Sequence, residues 1–275
     1  MTYSTTNIAK IDNTNPSVFN PSVNDTVLRT DAGLRVEVYV TDTNRNDSSV
    51  FVSGDGGTTK VQMSLVSGDL FRADTTPANL GCSADASCTL KFIVTDKAGN
   101  VNDTTTIGIT TDNTNPSVTV TYPNGGEYIK DIISITWSAS DQNMASNPIN
   151  IYYSNDSGTN WYLISNNEPN DGSYSWDTTE VDDGSDYKIR ITATDKAGNV
   201  GSDASNNVFT IDNTPGSITF IPETPSNNAY VGGIVEINVN ATDQLAGLKN
   251  ITIFVDNANK TTCLSSPCTL SLIHI

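Results

Sequence analysis

The sequence predicts an all-β chain of tandem antiparallel β-sandwiches joined in a rod, and three observations carry that expectation. A short phrase returns every hundred residues: Ile11-Asp12-Asn13-Thr14-Asn15-Pro16-Ser17-Val18, Thr111-Asp112-Asn113-Thr114-Asn115-Pro116-Ser117-Val118 and Ile211-Asp212-Asn213-Thr214-Pro215-Gly216-Ser217-Ile218. A second phrase, Asp-Lys-Ala-Gly-Asn-Val, stands at 96–101 and 195–200, upstream of the second and third copies of the first. Between these phrases apolar and polar residues alternate with period two, the mark of strands with one buried face, and helical periodicity is missing. Self-similarity at a fixed period makes one repeat of about a hundred residues the unit to explain. The expected boundaries are 1–13 for the end of a preceding module, 14–113 and 114–213 for two whole modules, and 214–275 for a truncated one.

The elements follow in order along each unit. Leu34, Val36, Val38 and Val40 alternate with Arg35, Glu37 and Tyr39; Ile133, Ile135, Trp137 and Ala139 repeat the pattern, as do Val235, Ile237, Val239 and Ala241. Each of these strands ends two residues later in an aspartate: Asp42, Asp141, Asp243. A hairpin signal comes next, Ser53-Gly54-Asp55-Gly56-Gly57-Thr58 and Ser154-Asn155-Asp156-Ser157-Gly158-Thr159, where Gly and Asp supply the positive φ of a tight turn. The second copy, followed by Trp161, resembles the Asp-box of sialidase-type propellers, but propeller blades repeat at about forty to fifty residues, so a hairpin turn suffices. A later strand places Tyr187, Ile189, Ile191 and Ala193 inside and Lys188, Arg190, Thr192 and Thr194 in solvent, and ends in Asp195 as its counterpart ends in Asp96.

About seven short strands per hundred residues describe a sandwich of the immunoglobulin or fibronectin type III kind. Val181 through Tyr187 look like a tyrosine corner, with the Tyr187 hydroxyl bonded to upstream backbone. The Asp-Asn-Thr-x-Pro opening, the strand ending in Thr-Asp and the Asp-Lys-Ala-Gly-Asn turn together resemble bacterial and archaeal Ig-like repeats of large surface proteins and adhesins. Pro123-Asn124-Gly125-Gly126-Glu127 and Gly172-Ser173-Tyr174-Ser175-Trp176 are similar to fibronectin-like surface modules. The resemblance implies neighbouring Ig-like modules in a longer chain as partners. It leaves the role open among spacer, adhesin and enzyme accessory.

Composition narrows the classes. A net charge of −17 and a pI near 4.1 exclude the basic footprint of a nucleic-acid binder. Most of the acid is Asp, which turns favour. No run is long enough for a membrane span, so membrane insertion is not expected of these residues. Thr5 through Asp12 parallel Thr105 through Asp112, so the chain is expected to begin inside a strand, without a leader. Ser271 through Ile275 resemble translated sequencing-adapter sequence, and the one histidine, His274, falls there.

Cys82 and Cys88 enclose a short loop, as do Cys263 and Cys268, and the middle module has no cysteine. Cys268–Ile275 are expected to align with Cys88–Thr95, so that a local disulfide takes the place Tyr187 occupies in the middle module. A zinc site is the alternative, but two cysteines per module without a nearby histidine fall short of a tetrahedral set. Pairs Cys82–Cys88 and Cys263–Cys268 imply an oxidising, extracellular or cell-surface location. Sequons at Asn24, Asn46, Asn102, Asn155, Asn240, Asn250 and Asn259 are as many as chance supplies in such a chain.

Nucleophilic triads have no usable histidine, and short connections leave no deep cleft for a carboxylate pair, so no enzyme is expected. The sharper expectation concerns aspartates at three fixed points per module. In such a sandwich the incoming linker and the ends of the second and sixth strands share one pole. Asp12, Asp42 and Asp96 should converge there with Asn100, and Asp112, Asp141 and Asp195 with Asn199, while Asp212 and Asp243 begin a third set. Like charges in one place favour a hard cation, calcium, between modules; the competing reading is ordinary turn and cap aspartates. At the junctions Asp85, and then Asp182, Asp183 and Asp186, are expected to join from the preceding module. The function expected is a non-catalytic extracellular spacer array stiffened by calcium. The alternatives are an adhesin with a cell-surface or carbohydrate ligand, for which Tyr152, Tyr153, Trp161 and Tyr162 are the candidate aromatics, or accessory domains of a secreted hydrolase.

Overall fold

Antiparallel pairing organises nearly every strand of the chain. The computed structural model describes residues 10–273 except Glu223 and Asp256, so His274, Ile275 and the segment before Lys10 lie outside the described residues. Contacts sort the chain into two compact units. One holds residues up to Ser117 with Ser140–Pro148 and Ala193–Gly201; the other holds Val118–Ala139, Ile149–Thr192 and Ser202 onward.

In the first unit, one sheet runs β1 (Ser17–Val23), β3 (Leu34–Thr41), β7 (Leu70–Thr75), β6 (Ser64–Ser67). Its partner runs β2 (Val27–Leu28), β10 (Thr106–Thr111), β8 (Ala86–Thr95), β4 (Val50–Ser53), β5 (Val61–Gln62), with β9 (Val101–Asn102) beside β8. The inward residues of β3 (Leu34, Val36, Val38 and Val40) meet Leu90, Phe92 and Val94 of β8 and Ile109 of β10 in one core. Each such side chain contributes roughly 1.5–3 kcal/mol through area removed from water. The β4 hairpin closes as its residues require: Ser53 Oγ donates to Asp55 Oδ1 and accepts from Gly57 N, and Asp55 accepts from Thr59 N. The Thr59 hydrogen bonds hold the Asp55 carboxyl down at about 2.

The middle sandwich repeats the plan. One sheet is β11 (Ser117–Tyr122), β13 (Ile132–Ser140), β16 (Ser173–Asp177). The other is β12 (Tyr128–Ile129), β19 (Phe209–Ile211), β17 (Gly184–Asp195), β14 (Met144–Ser154), β15 (Tyr162–Glu168), with β18 (Val200–Ala204) beside β17. Trp137, Ile189 and Ile191 are buried, as the period of two requires.

The tyrosine corner is present: the Tyr187 hydroxyl donates to the Asp182 carbonyl, and its ring packs between Tyr153 and Phe209. Burial, with the nearby Tyr153, pushes the Tyr187 phenol up to about 12. The folded value lies above the ordinary one near 10, so this contribution is intact below pH 10 and is lost as pH climbs through about 12. Spectrophotometric titration should therefore show a late phenolate step, coincident with alkaline loss of the middle sandwich, that is missing in Tyr187→Phe. An unchanged late step in that variant would place the shift on another tyrosine.

Arg190 departs from the expectation of a solvent-facing side chain. Its guanidinium lies 4.9 Å from the Tyr152 ring centroid and 4.5 Å from that of Trp161, and its Nε is buried without a hydrogen-bond partner. Alternation gave its face correctly, but two rings on that face shield it, so Arg190→Ala removes packing and cation–π attraction rather than only a charge. Tyr153 packs against Trp176 and Tyr187, so among the four candidate aromatics only Tyr162 is more than a third exposed.

The third group of strands corrects the sequence alignment. One sheet is β20 (Ser217–Phe220), β21 (Ile234–Thr242), β24 (Cys268–Ile273), and the other β22 (Ile251–Val255), β23 (Ala258–Cys263). β24 pairs with β21, Val239 opposite Cys268, just as β7 pairs with β3 and β16 with β13. The strand carrying Cys88 lies instead in the opposite sheet, between β10 and β4. Cys268–Ile273 therefore do not correspond to Cys88–Ile93, and the part of that expectation on His274 and Ile275 lies outside the described residues. Both disulfides form as expected, but Cys263–Cys268 joins the two sheets, whereas Cys82–Cys88 pins a loop to the start of its own strand. A signal was available in the spacing: forty residues separate Asp42 from Cys82, and only twenty separate Asp243 from Cys263. Four strands, β4 to β7, stand between Asp42 and Cys82 but only β22 and β23 between Asp243 and Cys263, so the two cysteine pairs mark different strands, while period-two alternation looks alike in every half-buried strand.

Candidate metal centre

The linker aspartates precede a first strand, and the other two stand where a strand must turn, so short Asx turns fix each carboxylate. Asp12 Oδ1 accepts from Thr14 N at 3.0 Å and Asp42 Oδ1 from Asn44 N at 2.6 Å. Asp96 Oδ1 accepts from Ala98 N and Asn100 N, both at 2.8 Å, closing the Asp-Lys-Ala-Gly-Asn turn, in which Gly99 takes φ 93°. Topology then brings the three together: one carboxylate oxygen from each of Asp12, Asp42 and Asp96 lies within 4.8 Å of the others.

The next copy reproduces the arrangement closely. Asp112, Asp141 and Asp195 converge within the same limit. Asp112 accepts from Thr114 N at 3.1 Å, Asp141 from Asn143 N at 2.6 Å and Asp195 from Asn199 N at 2.8 Å. Asp195 and Asn199 are buried, and the Asn199 amide donates both to Asp195 Oδ2 and to the Asp112 carbonyl. Asn100 does the same for Asp96 and the Asp12 carbonyl.

Two residues of the cluster were not singled out from sequence. The Asn44 side-chain amide donates to Asp12 Oδ2 at 2.6 Å and that of Asn143 to Asp112 Oδ2 at 2.7 Å. The signal was an Asp-x-Asn after each strand, at 42–44 and 141–143. These amides set the electrostatics. The Asn44 hydrogen bond, then that of Thr14, holds the Asp12 carboxyl below its ordinary value. Burial pushes Asp96 up, but donors from Asn100, Ala98 and Gly99 outweigh it and its carboxyl also lies low.

The third set is built differently. Leu245 stands where Asn44 and Asn143 stand, and Asp212 Oδ2 accepts instead from Ala246 N at 2.8 Å. Asp243 Oδ1 accepts from Leu245 N and Gly247 N. Asp183 lines the same pocket as Asp212 and Asp243 and accepts from Asn213 N at 2.7 Å. Asp186 does not join them: it accepts from the Ser157 hydroxyl at the β14 hairpin. Asp182 supplies its carbonyl to Tyr187 and is not among the residues lining that pocket.

Around the second cluster, Asp85 shares a pocket with Asp112 and Asp141 and accepts from Asn113 N at 2.6 Å. Asn113 Oδ1 accepts in turn from Thr30 N. The donor set is wholly oxygen, carboxylates with neighbouring carbonyls, which suits a hard cation and not a thiolate-seeking metal. Among the described residues, no donor reaches Oδ2 of Asp42 or of Asp141, so each cluster keeps an uncommitted carboxylate oxygen.

Residues 23–113 match the family model of the bacterial Ig-like domain. No curated protein is similar to the chain in sequence. Among solved structures it is similar to the fibronectin(III)-like modules of Clostridium thermocellum CbhA, with 16% identity, TM-score 0.39, and coverage of 70% of this chain and 95% of that one. A 1.5-MDa bacterial ice-binding adhesin matches with 13% identity and TM-score 0.41, over 95% and 88% of the two chains. A Ca2+-stabilized adhesin with which an Antarctic bacterium binds ice matches with 17% identity and TM-score 0.44, over 96% and 66%.

Proposed function

We propose that this array, whose residues 23–113 form a bacterial Ig-like domain, is a non-catalytic extracellular spacer of a larger surface protein, stiffened by calcium where one module meets the next. The observation that supports it most is the twice-built carboxylate triad, Asp12 with Asp42 and Asp96, and Asp112 with Asp141 and Asp195. Three anions this close repel one another, and the repulsion falls when a divalent cation joins them. In each triad the linker aspartate belongs to the connection between modules, so binding a cation would tie that connection to two strand ends. The uncommitted Oδ2 of Asp42 and of Asp141 would be the first ligands, with Asp12, Asp96, Asp112 and Asp195 completing the sets and Asp212 and Asp243 forming a weaker third. The two disulfides accord with an oxidising compartment.

Calcium that binds the folded chain raises its stability by mass action, by about 2.7 kcal/mol at a hundred times the dissociation constant. Thermal unfolding and small-angle scattering, with calcium or chelator at fixed ionic strength, should show a higher melting temperature and a narrower spread of dimensions with calcium. Asp141→Asn plus Asp195→Asn should abolish most of that response. No response at millimolar calcium, or an equal one in the double variant, would leave the aspartates as turn residues.

A further inference from the structure

Each of the first two sandwiches grips the chain that leaves it. The first linker runs out of β10 beside the end of β2 and the start of β8, and Asn113 is held from both sides. Its N–H donates to Asp85 Oδ1 at 2.6 Å, while its side-chain Oδ1 accepts from Thr30 N at 2.9 Å and its Nδ2 donates to Thr30 Oγ1 at 2.8 Å. The middle sandwich repeats the grip with Asn213, whose N–H donates to Asp183 Oδ1 at 2.7 Å and whose Oδ1 accepts from Asp131 N at 2.8 Å. Strand register makes the two aspartates equivalent. Asp85 precedes Ala86, which stands opposite Thr111, and Asp183 precedes Gly184, which stands opposite Ile211.

What holds the aspartate differs between the two. In the first sandwich Asp85 lies inside the loop closed by Cys82–Cys88 and takes φ 52°, a left-handed backbone that a residue with a side chain keeps only where its surroundings hold it. Both sulfurs pack on the β4 hairpin, where a Cβ on Gly54 would come within 2.5 Å of Cys82 Sγ and 2.7 Å of Cys88 Sγ. In the middle sandwich the place of Cys88, opposite Ile109, is taken by Tyr187, opposite Phe209. The Tyr187 hydroxyl bonds the Asp182 carbonyl, one residue before Asp183. We propose that the disulfide and the tyrosine corner are two versions of one lock, which fixes Asp85 or Asp183 over the linker amide and so keeps the departing chain rigid as far as Asn113 or Asn213. The order of the first linker then depends on an oxidised cysteine pair, and that of the second does not. The buried Thr111 hydroxyl, which accepts from Ala86 N at 3.1 Å, is the competing hold on the first loop. The lock acts without a cation, so it does not rest on the calcium reading.

The test reads amide hydrogen exchange residue by residue on the full chain, in chelator so that calcium plays no part. Asn113 is exposed, so its amide is shielded through Asp85. In Cys82→Ser plus Cys88→Ser, exchange at Asn113 and Thr30 should rise about tenfold or more, with Asn213 and Asp131 unchanged. In Tyr187→Phe the effect should move to Asn213 and Asp131 and leave Asn113 and Thr30 as they were. Asp85→Ala, with the disulfide intact, should release Asn113 as fully as loss of the cysteine pair does. The proposal is overturned if Asn113 stays protected without the disulfide, which would leave the Thr111 hydroxyl holding the loop, or stays protected in Asp85→Ala. Protection that falls equally along β3 and β8 in the cysteine variant also overturns it, since the disulfide would then support the whole sandwich and not the linker. So does an Asn213 amide that Tyr187→Phe leaves unchanged.

Discussion

Trp137→Ala should remove the cooperative unfolding transition of the middle sandwich. The indole is 5% exposed, and its Nε1 donates to Asn170 Oδ1 at 3.1 Å, so the change opens a cavity and loses that hydrogen bond. Truncations of this kind cost roughly 3–5 kcal/mol, a large share of the 5–15 kcal/mol that holds a typical domain. Circular dichroism and differential scanning calorimetry should show one transition lost or moved far down while that of the first sandwich stays. A shift no larger than that of Thr192→Ala, on the outward side of β17, would mean that Trp137 is not a core anchor.

Gly201→Ala carries the second largest effect expected, and it acts on the linker. A Cβ on Gly201 would sit 1.8 Å from the Pro116 carbonyl oxygen and 2.8 Å from its carbon, so backbone must move. The first sandwich shows the alternative arrangement. There Asn102, in the corresponding position, reaches the Pro16 carbonyl with its side-chain amide at 2.8 Å. Overpacking against fixed backbone costs about 1–3 kcal/mol, and here it would push the 112–116 linker away from β18 and disturb Asp112. Gly201→Asn should recover part of the loss by adopting the Asn102 arrangement. Chemical denaturation of the three proteins tests this order, and an Ala variant as stable as the parent would show that the linker does not pass so close.

How far the site was legible depends on what each residue's signal reports. The Asp-Lys-Ala-Gly-Asn turns are local, since each is closed by hydrogen bonds within two to four residues, so they could be read directly. Convergence of Asp112, Asp141 and Asp195 follows once the strand order of such a sandwich is granted, because linker and strand ends then share a pole. The cross-links from Asn44 and Asn143 to the linker aspartates span more than thirty residues. Nothing in their immediate neighbourhood announces the partner.

Alternation by itself determined which side of each strand faces inward, since side chains on a pleated strand point to opposite faces in turn. The turn chemistry and the hundred-residue period determined where strands stop and how often the unit recurs. Only the tertiary structure decided which neighbour each strand takes: that β24 belongs beside β21, that Arg190 is shut between Tyr152 and Trp161, and that Gly201 stands against Pro116. These are contacts between residues far apart in sequence. A period of two is the same for every half-buried strand, whereas pairing depends on edge hydrogen bonds and on the side chains that another segment brings to the same face.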